Sequence, residues 1–221
     1  MKILRRYSLL PLMVFGALAW AGAPALSPEA WAEATGPVRF VPIEGKVTVT
    51  GTSTLHDWEA ESAALTGTLT LPAASWALLQ SPAAGGSRSL PAGAAFHLST
   101  ASLKSEKTGM DKRMHAALQA ETHPTISYRL TSARIGRAGP DNGFSIETAG
   151  ILTVAGVERP LEGPMRVQLL PDGRLTVDGA APLKMSDFGI DPPRAMFGTI
   201  RSGDAIELSW RWTLQPAGDP A

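Results

Sequence analysis

Residues 205–214 read Ala-Ile-Glu-Leu-Ser-Trp-Arg-Trp-Thr-Leu, and they carry a clear strand pattern. The even-numbered residues from Ile206 to Leu214 are apolar, whereas the odd-numbered residues between them are polar. A period of two is typical of a β-strand with one buried and one solvated face. Because parallel strands buried on both sides read as continuous apolar runs, the alternation predicts an antiparallel sheet.

Strand signals recur along the rest of the chain in short runs separated by Gly, Pro and Asn turns. The candidate strands cover residues 38–41, 46–50, 55–60, 65–71, 94–100, 125–132, 144–154, 161–170 and 174–183. Many short strands at this spacing are typical of a sandwich or a barrel. A closed barrel leaves no sheet edge exposed, and one of about eight strands can be hollow enough for a ligand. We therefore expect an all-β protein built as an antiparallel barrel of about eight strands.

One segment has the period of a helix. Between Ser105 and Glu121, the apolar residues Met110, Met114 and Leu118 recur every four positions, which predicts an amphipathic helix. We expect this helix to cover one opening of the barrel. Residues 73–90 are rich in Ser, Ala, Gly and Pro, and we interpret them as a surface excursion with one short helical turn around Trp76.

The first 32 residues have the pattern of a secretory signal peptide. A positively charged start with Lys2, Arg5 and Arg6 precedes an apolar run from residue 9 to residue 21. This run is shorter than the roughly 20 apolar residues that a membrane-spanning helix needs. Small residues offer cleavage sites near Ala25 or after Ala32, and the adjacent arginines leave both the general and the twin-arginine export routes open.

The predicted organisation is therefore a signal peptide at 1–32 and one barrel domain at 33–221. The mature protein should be periplasmic or secreted, with no stable membrane anchor after cleavage. The chain has no cysteine, so it must be held together by burial and hydrogen bonding rather than by disulfides. The formal net charge is zero, which gives no electrostatic reason to expect a nucleic-acid partner. Composition leaves the oligomeric state open.

Motifs for catalysis are missing from the sequence. The four histidines do not have a spacing typical of zinc sites, and there is no nucleophile elbow, phosphate loop or dinucleotide fingerprint. His56 and Asp57 are adjacent on a predicted strand, so their side chains should point to opposite faces. We predict no enzymatic activity, no metal and no cofactor. We expect Gly156 to permit a tight turn that needs a residue without a Cβ atom. We expect Asp187 to brace the turn at 186–189.

Four blocks of sequence carry a family resemblance. They are Ser-Leu-Lys-Ser-Glu-Lys-Thr-Gly-Met-Asp-Lys-Arg-Met at 102–114, His-Pro-Thr-Ile-Ser-Tyr at 123–128, Gly-Ile-Leu-Thr-Val-Ala-Gly-Val-Glu-Arg-Pro-Leu at 150–161 and Ser-Asp-Phe-Gly-Ile at 186–190. In this order and spacing the chain resembles the YceI-like polyisoprenoid-binding family. The resemblance implies a lipocalin-like periplasmic barrel whose interior holds a long isoprenoid or another amphiphilic lipid, such as an isoprenoid quinone or a polyprenyl lipid.

The inward faces of the predicted strands, with the helix, give a set of candidate lipid-binding residues. These are His56, Trp58, Phe96, Met110, Met114, Ile126, Tyr128, Leu152, Leu208, Trp210 and Trp212. The function expected for this site is that of a lipid carrier or storage protein. The alternative is a periplasmic stress-response or partner-binding module whose barrel is filled by its own large side chains and holds no lipid. The volume of the interior discriminates between the two.

Overall fold

The computed structural model describes residues 36–81, 87–139, 143–195, 197 and 199–218. The predicted signal peptide at 1–32 lies outside the described residues. Within these ranges no helix combines the length and the apolar character needed to cross a membrane.

Eleven strands and two α-helices make up the described part of the chain. The strands are β1 (Val38–Ser53), β2 (Trp58–Ser62), β3 (Leu65–Leu71), β4 (Arg88–Ser89), β5 (Gly93–Ser99), β6 (Thr125–Ala138), β7 (Gly143–Val154), β8 (Val157–Leu169), β9 (Leu175–Lys184), β10 (Arg194–Ala195) and β11 (Ile200–Pro216). The helices are α1 (Ala73–Gln80) and α2 (Thr108–Ala117). Single 3-10 turns occupy Thr100–Ser102 and Met185–Phe188.

The long strands form a closed antiparallel barrel. Neighbours follow the order β11-β9-β8-β7-β6-β5-β3-β1, and β1 then pairs with β11 to close the ring of eight. The short strands β2, β4 and β10 extend it by pairing with β1, β6 and β11. The predicted fold class is confirmed.

The closing ladder joins β1 and β11 from Phe40↔Pro216 to Ser53↔Ser202, with two register shifts. On β11, Trp212 and Leu214 are buried, whereas Glu207 and Arg211 are exposed. The alternation in the sequence therefore gave the correct inward face.

The ladder between β8 and β9 is short. It contains five residue pairs, from Met165↔Gly179 to Leu169↔Leu175. Among the described residues, the earlier part of β8 pairs only with β7, and the later part of β9 only with β11. Prolines at 160, 164 and 182 lie in these parts of the two strands, and a proline has no N–H to extend a ladder.

Residues 73–80 differ from the expected surface excursion. They form the α-helix α1, whose Trp76 and Leu79 are each only 3% exposed. The Trp76 ring lies against Phe40, with 5.4 Å between ring centroids. The segment has no clear helical period, so its burial depends on the barrel end that it covers.

The predicted helix at 105–121 is shortened at both ends to α2. At its start, the backbone N–H and the hydroxyl of Ser105 donate to one carboxylate oxygen of Asp111, both at 2.7 Å, which holds residues 105–107 in a loop. At its end, Gln119 has a φ of 52°, which interrupts the helix before Pro124.

Two turn predictions have opposite outcomes. Ala155 and Gly156 both have positive φ, as a two-residue hairpin between β7 and β8 requires, so the prediction for Gly156 is confirmed. The prediction for Asp187 is wrong. The carboxylate of Asp204 on β11 holds the turn, because it accepts from the N–H of Ser186 at 2.8 Å and from its hydroxyl at 2.6 Å.

Buried apolar side chains form two clusters, one at each end of the barrel. The cluster at the end covered by α1, which we call the closed end, comprises Val38, Phe40, Leu71, Trp76, Leu79, Leu90, Ala133, Ile135, Phe144, Ile146, Val167, Leu175, Trp212 and Leu214. The cluster at the opposite end, which we call the open end, comprises Leu152, Ala155, Met185, Phe188 and Ile190.

Candidate binding cavity

The barrel interior contains two adjoining cavities. The larger, of about 420 Å³, lies at the open end, and the smaller, of about 200 Å³, lies deeper toward the closed end. Five side chains line both, namely Val47, Leu98, Ile126, Leu152 and Leu208. We call these five the waist, because they lie between the two cavities. The walls of both cavities are almost entirely apolar, as expected of a site for an apolar chain.

All eleven residues predicted for the site lie on these walls. His56, Trp58, Met110 and Met114 line the larger cavity, and Phe96, Tyr128, Trp210 and Trp212 line the smaller one. Ile126, Leu152 and Leu208 belong to the waist. The interior is therefore not filled by its own side chains, contrary to the alternative that the sequence left open.

Three of these aromatic rings cover a glycine on the neighbouring strand. A Cβ atom at Gly150 would lie 2.4 Å from the Tyr128 ring. A Cβ atom at Gly51 would lie 2.4 Å from the Trp58 ring, and one at Gly179 would lie 2.5 Å from the Trp210 ring. Only glycine leaves room for a ring against the backbone, so each ring lies along the wall and the lumen beside it stays open.

Tyr128 is one of the polar residues that line the smaller cavity, together with Ser127, Thr148 and Glu162. Burial raises the pKa of its phenol, and a hydrogen bond with Thr148 partly offsets this rise. Thr148 in turn donates to the backbone carbonyl of Gly163 at 3.0 Å. The phenol is therefore neutral at physiological pH, and it can form a hydrogen bond in the smaller cavity without carrying charge.

Helix α2 forms one wall of the open end. Its half-buried side chains Met110 and Met114 line the larger cavity, as does Leu118 just after the helix. Phe188 and Ile190, from the segment after β9, also line this cavity. The helix thus covers this end of the barrel, in agreement with the expectation from its amphipathic pattern.

His56 lies at the rim of the larger cavity rather than on a strand. The predicted strand at 55–60 starts only at Trp58, because the hydroxyl of Ser53 accepts the N–H groups of Leu55 and His56, each at 3.2 Å. The imidazole is exposed, with Nδ1 2.7 Å from the carbonyl oxygen of Asp57 and Nε2 3.2 Å from the Nζ of Lys107. His56 and Trp58 therefore do not share a strand face.

At the closed end, tightly packed side chains form the floor of the smaller cavity. Phe40 and Leu175 are fully buried, and Trp76 packs above them from α1. Among the described residues, the indole N–H groups of Trp76 and Trp212 are buried without a hydrogen-bond partner. Each such donor costs about 1–3 kcal/mol of stability, which the surrounding apolar burial must offset.

Sequence reasoning did not find every residue of the site. Val47 and Leu98 of the waist follow from the same alternation on β1 and β5, and extending that pattern to these strands identifies them. The rim cations Lys107, Arg113 and Arg194 lie on a loop, a helix and a short strand, so no periodic pattern connects them. Within the described ranges, no group of three His, Asp or Glu side chains is arranged to hold a metal ion.

The fold and its apolar interior place the protein in the class of lipocalin-like barrels. The profile of the YceI-like domain matches residues 46–214, and the chain belongs to this family. A comparison with curated proteins found no match.

Solved structures support the same fold at low sequence identity. The crystal structure of BcnA from Burkholderia cenocepacia is 16% identical, with a TM-score of 0.55 over 76% of this chain and 95% of that one. A domain from Saccharophagus degradans, described as polyisoprenoid-binding and implicated in plant cell wall breakdown, is 12% identical. Its TM-score is 0.56 over 80% of this chain and 98% of that one.

Proposed function

We propose that this protein binds a long-chain isoprenoid, or a similar amphiphilic lipid, inside its barrel and serves as a carrier or store for it. The observation that carries the proposal is the pair of apolar cavities that adjoin at the waist. Together their apolar walls extend from the open end toward the closed end. The polyisoprenoid-binding description of the Saccharophagus degradans domain supports the same ligand class.

Affinity for the chain would come from apolar burial, worth about 25 cal/mol per Å². This term is non-directional, so the cavity walls distinguish an apolar chain from a polar one better than they distinguish two apolar chains. Isoprenoid quinones and polyprenyl lipids both fit this description. Binding requires no chemical step, and a screen with lipid esters and quinones should give no turnover.

The proposed location is the periplasm or the exterior of the cell, after removal of the signal peptide. The mature N-terminus should then lie near Leu26 or at Glu33. Intact mass of the protein recovered from the periplasm checks this location. Recovery of a species that still starts at Met1 would contradict it.

Mass spectrometry of organic extracts from the purified mature protein tests the proposed function. The matched variants are Leu208→Trp, which fills the waist, and Ser209→Trp, which adds the same ring one residue along on the opposite face of β11. The wild type and the Ser209→Trp variant should yield a long-chain lipid, and the Leu208→Trp variant should yield little. The proposal fails if the folded wild type carries no lipid and takes up none when isoprenoids are added.

A further inference from the structure

The wall of the barrel has a gap between residues 160–164 of β8 and residues 180–184 of β9. The ladder between these strands stops at Met165↔Gly179, and beyond that pair the described parts of the two strands no longer pair with each other. We propose that this gap is a second opening of the barrel, through which an apolar chain enters and leaves the smaller cavity from the side. The inference rests on the proposed function and adds a route to its site.

The sequence prevents the ladder from continuing across the gap. The N–H of Leu170 donates to the carbonyl oxygen of Arg174, so alternation along β8 points the backbone groups of its even-numbered residues toward β9. Continued in the same register, the hydrogen-bonded pairs would be Pro164 with Ala180, Glu162 with Pro182 and Pro160 with Lys184. Each of these three pairs contains a proline, which has no N–H to donate. The strands therefore separate where the prolines begin.

Residues from both edges of the gap line the smaller cavity. On β7 only residues of the inward face line it, such as Ile146 and Thr148, as expected for an intact wall. At the gap the lining residues are consecutive, at 161–164 on β8 and at 180–181 on β9. Three of these six are exposed on the outer surface, namely Glu162, Pro164 and Ala180. The cavity therefore extends between the two strands to the outside.

The space beside Gly163, in the middle of the gap, is open. In two intact ladders, a Cβ atom at Gly45 or Gly67 would lie 2.1 Å from a carbonyl oxygen of the neighbouring strand. Gly163 has a similar φ, 153° against 139° and 131°, yet a Cβ atom there would meet no atom of the described residues within 4 Å. The backbone of a neighbouring strand thus lies against the first two glycines and leaves the third free.

The gap is bounded at both ends. The five-pair ladder closes one end, and at the other Leu161 and Leu183 pack against the buried cluster of the open end. Of the six residues that line the cavity at the gap, only Glu162 is charged. Each proline also replaces an N–H by an apolar ring, so the edges present fewer polar groups to a passing chain than an ordinary strand edge does. The result is an opening of fixed extent with largely apolar edges.

A disulfide across the gap tests this inference. The chain has no cysteine, so Pro164→Cys/Ala180→Cys introduces a single pair of thiols, at the first position where the ladder fails. The control Ser132→Cys/Ala149→Cys joins β6 and β7 across an intact ladder. Stopped-flow tryptophan fluorescence measures the uptake and release of geranylgeraniol by delipidated protein, oxidised and reduced. Intact mass verifies the disulfides, and melting temperatures verify the folds.

Oxidation of the gap variant should slow both uptake and release by about tenfold or more. Blocking a route lowers both rates together, so the equilibrium affinity should stay within about threefold. Reduction should restore the rates, and the control should exchange lipid equally fast in both states. Unchanged rates in the oxidised gap variant would overturn the inference and leave the lipid-binding proposal standing. A wild type that binds no geranylgeraniol would overturn both.

A bulky label provides a second test, which applies even if the two thiols lie too far apart to join. Glu162→Cys places one thiol at the edge of the gap, and the control Glu147→Cys places one on the exposed outer face of β7. Both variants lose the same charge, and both are conjugated with a polyethylene glycol maleimide. Exchange of geranylgeraniol should be slower for the conjugate at 162 than for the conjugate at 147. Equal rates for the two conjugates would overturn the inference.

Discussion

The two ends of the barrel are built by the same strands but packed differently. At the closed end Phe40 and Leu175 are fully buried, whereas at the open end Ile206 and Leu208 are half-buried around the larger cavity. β11 contributes Trp212 to the first and Ile206 to the second. Burial is therefore concentrated at one end, and the other end provides space. The two ends should respond differently to substitution.

The largest effect is expected from Phe40→Ala. This side chain is completely buried and packs on Trp76, so its removal leaves a cavity and should lower the free energy of unfolding by about 3–5 kcal/mol. The control at the open end is Leu118→Ala, which should cost less because the residue already lines a cavity. Urea denaturation measures both. Equal losses would show that the two ends contribute equally to stability.

A smaller loss of unfolding free energy is expected from Gly150→Ala. The new methyl group would lie 2.4 Å from the Tyr128 ring, so the ring must move into the smaller cavity. We expect a loss of about 1–3 kcal/mol from overpacking, together with weaker lipid retention. Gly93→Ala on β5 is the control, because a Cβ there meets nothing within 4 Å. Thermal unfolding and lipid extraction report the two effects, and an unaffected lipid content would show that the ring does not enter the ligand's space.

Much of the fold could be predicted because the strands repeat one physical rule. Alternation on β11 identified Trp212 and Leu214 as inward-facing, and the amphipathic period located α2. The closed end could not be predicted in the same way. Trp76 and Leu79 lie in a short segment without helical period, and both are buried in a cluster whose Phe40, distant in sequence, packs against Trp76. Only the folded barrel brings these residues together.

The binding site also has one part that could be predicted from the sequence and one part that could not. Apolar wall residues such as Tyr128 and Leu152 were predicted from strand periodicity. The rim was not, because the positions of Lys107 and Arg113 depend on hydrogen bonds to His56 and to the carbonyl oxygen of Gly109. Contacts of this kind are set by loop geometry rather than by a repeating pattern.

Substitution of both methionines of α2 by aspartate should separate ligand retention from stability. Met110 and Met114 are half-buried on the wall of the larger cavity, so the double variant places two charges beside an apolar chain. Bound lipid should fall several-fold, while the free energy of unfolding falls by less than about 1.5 kcal/mol. Lipid extraction and thermal unfolding are compared, with Lys112→Asp on the outer side of α2 as the control. Parallel loss of both properties would indicate simple core packing.

The smallest effect is expected from Asp111→Asn, and its dependence on pH is confined to the acid range. The hydroxyl and then the backbone N–H of Ser105 donate to this carboxylate and hold its pKa below the usual value. A group with a lowered pKa in the folded state stabilises the fold above its unfolded pKa, about 3.9, and loses that contribution as the pH falls through the folded pKa. The stability difference between wild type and variant should therefore be constant near neutral pH and shrink below about pH 4. Urea denaturation across this range measures it, and a difference that does not change with pH would contradict the assignment.

Closure of the barrel has a consequence for the order of folding. The ladder between β1 and β11 joins strands from opposite ends of the described chain, so it forms only after the intervening strands are available. Contacts this distant in sequence slow folding, because the chain loses loop entropy before they form. The last strand of the described residues carries Trp210 and Trp212, and until it docks on β1 the lumen has no complete wall. Burial of Trp210 and Trp212 should accordingly occur in a late kinetic phase of folding. A chain truncated before Ala205 should remain an open sheet.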